Sequence, residues 1–277
     1  MLPVHLLGLL ITLGVAVVAW RRRATTQFAV TLAAEMVALA AWTALVTLAS
    51  VSTSRTVIEC SWLAVPAVAA ATATGVLILC LQLRTRTWAP GRRGAVLLAV
   101  EPLTVAALGA SNRWHHLLLA SLRFTGTPPL ARAELGVAFW CHTGYCYLLM
   151  IAGACLLVRT WRHGPALYRR QLASMLVAQL VPLVGNAVTV SFLAAGRDVG
   201  DTPSLFVISA LMMSYAVFRQ GLLRIVPIAR QLVLEQVGDA VLVIGPDGTV
   251  VDHNGALHRL VSRLPDPPTH VVGLDAQ

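Results

Sequence analysis

The sequence contains no lysine, so all 21 of its basic residues are arginines. Only 12% of the residues are charged and only 6% are aromatic. Because a retinal Schiff base needs a lysine, retinal attachment in the usual manner is excluded. The scarcity of charge also excludes an ordinary soluble domain. The formal net charge of +9 therefore indicates no nucleic-acid partner and has to be interpreted by position along the chain.

Motifs that assemble catalytic or metal sites are also missing. The five cysteines form no Cys-x-x-Cys pair. There is no His-Glu-x-x-His motif, no nucleophilic-serine motif and no ATP-binding glycine motif, and no phosphoacceptor-histidine helix or diguanylate-cyclase signature. The sequence therefore predicts no catalytic residue, no metal site and no cofactor.

Apolar residues dominate what is present: they make up 57% of the 277 residues, and the mean hydropathy is +0.74. These values predict an integral membrane protein. Segments long enough to cross about 30 Å of hydrocarbon occur near 2–20, 27–49, 58–83, 94–110, 138–158, 171–194 and 204–218. We therefore predict an all-α, seven-transmembrane helical bundle. The last segment is short for a span, but Arg219 beyond it can snorkel to the interface.

The arginines predict the orientation of the spans. Fourteen arginines fall on one side of the predicted bundle: Arg21, Arg22, Arg23, Arg84, Arg86, Arg92, Arg93, Arg159, Arg162, Arg169, Arg170, Arg219, Arg224 and Arg230. The opposite connections carry five: Arg55, Arg113, Arg123, Arg132 and Arg197. Because positive charge favours the cytoplasmic side, the N-terminus is predicted outside and the C-terminus in the cytoplasm of a multi-pass plasma-membrane protein.

Carboxyl groups at membrane depth are the first candidate site residues. Glu35 lies in span two and Glu101 in span four, where charged groups are costly and must face protein or water. They either form a ligand, ion or proton site or are protonated and hydrogen-bonded between helices, and for Glu35 the second interpretation is favoured. Pro102 favours a site at Glu101, because an interior proline frees a backbone carbonyl and kinks the helix beside the acid.

Span six carries a polar face. Its members recur at helical spacing: Gln179, Pro182, Asn186 and Thr189. Interhelical hydrogen bonds account for such a face without any ligand. The sharper hypothesis is a polar ligand-binding cavity between spans four and six, lined by Glu101, Gln179 and Asn186.

Histidines and cysteines gather at the predicted outer side. Three imidazoles, of His115, His116 and His142, suggest outer-face sensing by zinc or copper binding or by protonation, although interfacial histidine beside tryptophan is more common. The thiols of Cys60 and Cys141 are expected to pack as small apolar groups. A disulfide between them is the alternative.

After the last apolar segment, the sequence no longer has the composition of a membrane span. The spacing of apolar residues over 227–239 predicts a modestly amphipathic helical connector. This helix would pack against the following unit or against a second subunit. Residues 240–277 predict a short α/β unit, with a hairpin around Pro-Asp-Gly followed by a helix. Arg219, Pro227 and Arg230 are the candidate signal-relay residues at this junction.

Several motifs resemble one known module. They are Glu101-Pro102, Asn112 to His116, Phe139 to Tyr147, Tyr168 to Gln171, Pro182 to Asn186, Asp201 to Pro203, Phe218-Arg219 and Val226 to Arg230. They resemble the seven-transmembrane input domain of prokaryotic sensor histidine kinases, and the hairpin with Asp252-His253-Asn254 resembles the opening of a PAS domain.

This resemblance implies a sensor domain over 1–226, a connector over 227–239 and an incomplete PAS-like segment over 240–277. It implies a bilayer-embedded homodimer that passes a small-molecule or physical stimulus through span seven to a PAS domain and an output domain absent from this chain. The alternative is a solute or ion transporter using intramembrane carboxylates, for which the sequence shows no internal repeat.

Overall fold

The computed structural model describes residues 2–24, 26–85, 88–125, 130–163, 169–195, 202–220, 238–244 and 250–262. The chain divides into two compact units, Met1–Leu223 and Arg224–Gln277. Each unit has its own hydrogen-bonded elements.

The first unit is built from seven helices in its described part. They are α1 (Leu2–Arg21), α2 (Gln27–Val51), α3 (Arg55–Arg84), α4 (Arg92–His115), α5 (Val137–His163), α6 (Arg169–Ala194) and α7 (Thr202–Phe218). Each apolar segment of the sequence is therefore helical, and several helices start or end at an arginine. The short connections make neighbouring helices alternate in direction.

Six of these helices, α1 to α6, are long and apolar enough to cross a membrane. Helix α7 has 17 residues, which gives a length of about 26 Å at 1.5 Å per residue. The chain is thus a multi-pass helical membrane protein. The crossing by α7, and with it the seven-span topology, stays a prediction.

Packing arranges six helices as a closed ring in the order α1, α2, α3, α5, α6, α7, with α7 returning to α1. Helix α4 lies outside this ring, and its main packing partner is α3. Gly109 allows the close approach, because a Cβ there would lie 2.6 Å from the backbone oxygen of Leu63. The buried residues of α4 are Val105, Gly109 and Asn112, so most of this helix faces outward.

A β-hairpin that the sequence analysis did not predict separates α4 from α5. Its strands, β1 (Leu119–Thr125) and β2 (Leu130–Leu135), pair antiparallel. Asn112 fixes the entry, because its Oδ1 accepts from the backbone N–H groups of Leu118 (3.0 Å) and Leu119 (3.1 Å). His116 ends α4 in the left-handed conformation, with φ of 54°. The expectation of helices alone in the membrane-embedded part therefore missed this element.

The second unit contains β3 (Leu242–Ile244), β4 (Val250–His253) and helix α8 (Gly255–Val261), and the strands form an antiparallel hairpin. Asn254 holds it together. Its Oδ1 accepts from the N–H groups of Val241 and Leu257, both at 3.0 Å, and its Nδ2 donates to the Asp239 oxygen at 2.7 Å. The predicted hairpin and helix are present, whereas likeness to a PAS domain stays a prediction.

The predicted connector falls mostly outside the described residues. Residues 227–237, with Pro227 and Arg230, belong to the part of the chain that the structure does not describe. Arg219 is described, and it is exposed directly after the end of α7. The helical connector and the relay role of these residues stay predictions.

Candidate functional site

A cavity of about 470 Å³ lies inside the helix ring. Its described lining comes from α2, α3, α5, α6 and α7, and none of it from α4. Along α2 the cavity extends from Ser50, next to the helix end, to Glu35, a distance of about 22 Å at the helical rise. From the sequence, the cavity was predicted between spans four and six. That placement is corrected, because α4 packs outside the ring.

Glu35 forms the deep end of the cavity. Its side chain is only 3% exposed, and neither carboxyl oxygen has a hydrogen-bond partner among the described residues. Space for the carboxyl group comes from Gly75 on α3, where a Cβ would clash with Glu35 Oε2. A buried polar group without a partner is costly. The fold therefore holds an unsatisfied carboxyl group at one end of this cavity.

A second unsatisfied polar group, Thr72 on α3, also lines the cavity, and its Oγ1 is buried without a described partner. Thr72 and Gly75 are three residues apart, so they lie on the same face of the helix. The remaining wall is rich in aromatic side chains, and Trp42 packs edge-on against Phe206 with 5.0 Å between the ring centroids. Such a site fits a mainly apolar molecule with one polar end.

A chain of polar side chains joins α5, α6 and α7 at the cavity wall. The Tyr147 hydroxyl donates to Asn186 Oδ1 (2.9 Å), and Asn186 Nδ2 donates to Thr202 Oγ1 (3.3 Å). The Thr202 hydroxyl in turn donates to Thr189 Oγ1 (3.4 Å). Asn186, a sequence-predicted site residue, thus lines the cavity and is satisfied by protein partners from both neighbouring helices.

Gln179 also lines the cavity, one layer deeper. Its Nε2 donates to the Met150 carbonyl oxygen of α5 at 2.5 Å, and its Oε1 faces the Cys80 thiol of α3 at 3.7 Å. Gly153 makes room for it, because a Cβ there would lie 3.1 Å from Gln179 Nε2. Gln179 therefore connects three helices around the cavity.

Helix α7 is joined to α6 through a carbonyl that a proline leaves free. Pro182 has no N–H, so the Ala178 carbonyl four residues earlier loses its helical donor. Ser209 of α7 occupies that position, and its hydroxyl donates to the Ala178 oxygen at 2.6 Å. Ser209 is buried and also lines the cavity. From the sequence, Pro182 was assigned to the polar face of span six, but Ser209 was not identified.

Glu101 lies outside the cavity lining but is connected to it. Its Oε1 is 2.6 Å from His142 Nδ1 on α5. Four residues further along α5, the Cys146 thiol lies 3.7 Å from His142 Nδ1. His142 and Cys146 both line the cavity. The three ligand-type atoms all lie within 4.8 Å of one another, and Glu101 Oε2 is buried without a described partner.

The three predicted outer-face histidines are not brought together. His115 Nε2 lies 2.9 Å from the Ser111 hydroxyl, and His115 Nδ1 accepts from the backbone N–H of Leu117 at 3.0 Å. Both ring nitrogens of His115 are thus engaged locally. His142 is buried beside Glu101 instead, so a three-imidazole metal site is not supported in the described part of the chain.

Composition and fold define a multi-pass helical membrane protein with a cavity between its helices. Residues 4–227 match the family described as the N-terminal 7TM region of histidine kinase. The chain belongs to this family, which makes it a membrane sensor module of the histidine-kinase type. No curated protein matches the chain.

Proposed function

We propose that the Met1–Leu223 unit receives its stimulus in the ring cavity as a small, mainly apolar molecule that carries an amine. The observation behind this proposal is Glu35, whose two buried oxygens have no described partner at the end of the cavity. An ammonium group supplies both positive charge and N–H donors to a carboxylate, the stronger class of hydrogen bond. Trp42 and Phe206 line the cavity farther from Glu35 and supply apolar surface for the rest of the molecule.

The composition of the cavity wall supports transmission through α7. The α7 residues that line it are Thr202, Pro203, Phe206, Ser209 and Met213, and from Pro203 onward they recur every three or four positions. They form one face that extends over about 17 Å of the helix. A molecule in the cavity would therefore contact much of the helix that leads toward the C-terminal unit. We propose that binding shifts or rotates α7 and thereby alters the output of the kinase.

The wider setting of this module is also part of the proposal. The arginine distribution favours an N-terminus outside and a C-terminus in the cytoplasm. The C-terminal hairpin and helix are proposed to begin a PAS domain, linked to α7 by a helical connector over 227–239. A helix of that length is marginal alone in water, so we propose that it pairs with its copy in a homodimer.

Calorimetric titration of the chain in lipid nanodiscs tests the ligand class. The probe is 4-phenylbutylamine, and the matched neutral compound is 4-phenylbutan-1-ol, with empty nanodiscs correcting for partition into lipid. Charged hydrogen bonds contribute about 1.5–3 kcal/mol, so we expect the amine to bind at least about tenfold more tightly than the alcohol. Glu35→Gln should remove this preference.

The matched control is Glu59→Gln, which alters an exposed glutamate at the start of α3. It should leave the preference unchanged. Equal affinity of the amine and the alcohol, or an amine preference that survives in Glu35→Gln, would contradict the proposed ligand class.

A further inference from the structure

We propose that Glu101, His142 and Cys146 form a binding site for a zinc-class metal ion that joins α4 to α5. This inference does not depend on the amine proposal, because Glu35 lies on α2 whereas these three residues lie on α4 and α5. In the described part of the chain, these three residues bring their potential ligand atoms close enough together to bind one metal ion. Carboxylate, imidazole and thiolate are together the ligand types that Zn²⁺ accepts.

The spacing of His142 and Cys146 on α5 allows both side chains to bind the same metal ion. His142 and Cys146 are four residues apart, which places both side chains on one face of the helix. Their Nδ1 and Sγ atoms are separated by 3.7 Å. In a tetrahedral zinc site, with Zn–N of about 2.0 Å and Zn–S of about 2.3 Å, the corresponding edge is about 3.5 Å. An ion can therefore bind both atoms with little change in the helix.

Glu101 supplies the third ligand from α4. Its Oε1 already faces His142 Nδ1 at 2.6 Å, closer than the edge of about 3.3 Å that a zinc site has between oxygen and nitrogen ligands. The metal would take the place of the hydrogen bond and move these two atoms slightly apart. Glu101 Oε2, buried without a described partner, would gain the ion as a neighbour.

Charge favours a divalent ion here. His142 is buried and Glu101 is largely so, with side-chain exposures of 5% and 17%, and an uncompensated charge in such a place is costly. A carboxylate and a thiolate together carry two negative charges, which an M²⁺ ion neutralises. Binding displaces the thiol proton of Cys146. The thiolate and imidazole select Zn²⁺ over Mg²⁺ or Ca²⁺, which prefer all-oxygen sites.

An ion at this position would link two helices. Helix α4 packs mainly on α3, whereas this site would fasten it to α5. Because His142 and Cys146 line the cavity, the fourth coordination position is available to water or to a polar group in the cavity. Metal occupancy would therefore alter both the position of α4 and one wall of the cavity.

Cobalt substitution tests the site in the complete chain. Chelator-treated protein in nanodiscs is titrated with Co²⁺, which gives thiolate-to-metal charge-transfer absorption and strong visible bands when it is tetrahedral and bound to sulfur. We expect one equivalent to produce both signals and Zn²⁺ to remove them. Loss of an outer-shell partner already weakens metal binding by about 10–100-fold. Glu101→Gln should therefore weaken binding by about 100-fold or more.

Two cysteine variants separate this site from others. Cys146→Ser should abolish the charge-transfer absorption, whereas Cys141→Ser, an exposed cysteine on the same helix, should retain it. The double variant His115→Ala/His116→Ala should also retain it. Circular dichroism of each variant checks that the helices are intact, and Glu101→Gln provides a second reading should Cys146→Ser fail to fold.

Three results would overturn the proposal. The first is the absence of charge-transfer absorption in the unaltered chain, and the second is its persistence in Cys146→Ser. The third is its loss in the His115→Ala/His116→Ala variant, which would move the metal to the end of α4.

Discussion

Gln171, in the first turn of α6, donates a hydrogen bond from Nε2 to the backbone oxygen of Gln220 at 2.7 Å. The Gln220 side chain returns the contact, because its Nε2 donates to the Ser174 hydroxyl at 2.8 Å. Gln220 lies two residues beyond the end of α7. These two bonds fix the position at which the chain leaves the bundle, on the route that the proposed signal takes.

Gln220→Ala should shift signalling at this exit. The variant removes the bond to Ser174 and about 1 kcal/mol of local stabilisation. In a fusion of the chain to a histidine-kinase catalytic region, we expect autophosphorylation without ligand to move toward the ligand-bound level. The control is Gln27→Ala, at an exposed glutamine at the start of α2. Equal activity of both variants and the unaltered fusion would argue against a role for this contact.

Ser209 and Pro182 should behave as a coupled pair. Ser209→Ala leaves the buried Ala178 carbonyl without a donor, at a cost of about 1–3 kcal/mol. Pro182→Ala restores a helical N–H to the same carbonyl. Thermal unfolding of the single and double variants in nanodiscs should therefore show that Pro182→Ala reduces the loss caused by Ser209→Ala. Additive losses would mean that the two residues act separately.

Gly75→Ala should destabilise the bundle by about 1–3 kcal/mol, because the new Cβ would clash with the Glu35 carboxyl group. Adding Glu35→Ala should recover part of that loss by removing the clashing group. Melting temperatures give the comparison. Gly14→Ala is the matched control, since a Cβ at that position meets nothing within 4 Å. A similar loss in both single variants would show that the contact with Glu35 is not the cause.

Reporter fusions test the orientation. Because the arginines concentrate at one side of the predicted bundle, a fusion after Phe218 should be active with a cytoplasmic reporter and inactive with a periplasmic one. A fusion in the β1–β2 hairpin should show the reverse. Activity of the periplasmic reporter after Phe218 would mean that the predicted orientation is wrong or that α7 does not cross.

The helices were predictable because each is a long apolar run that ends near arginine. The β1–β2 hairpin was missed, although Thr-Gly-Thr-Pro-Pro at 125–129 is a turn signal that could have indicated it. Hydropathy alone assigns these residues only to a connection between two spans. The hairpin also depends on Asn112, whose side chain binds backbone groups beyond the helix end, and no local pattern predicts such a contact.

The site was only partly predictable. Helical spacing was enough to place Gln179 and Asn186 on one inward face. It gave no information on the rotation of one helix against another, so the pairing of Glu101 with His142 could not be anticipated. Gly75 lies in a run of small residues at 67–75, a composition that permits close helix approach. Only the packed structure associates it with Glu35.

The outward face of α4 has a consequence for how this family can vary over evolutionary time. Val96, Leu97, Val100 and Leu103 are all more than half exposed, and in a bilayer any apolar side chain of suitable size suits such positions. We expect relatives to exchange these residues freely. Gly109 should resist replacement, since even a methyl group there meets the Leu63 carbonyl. In an alignment of relatives, the exposed face of α4 should therefore be the most variable helix surface. The face of α4 that contains Gly109 and packs on α3 should be invariant.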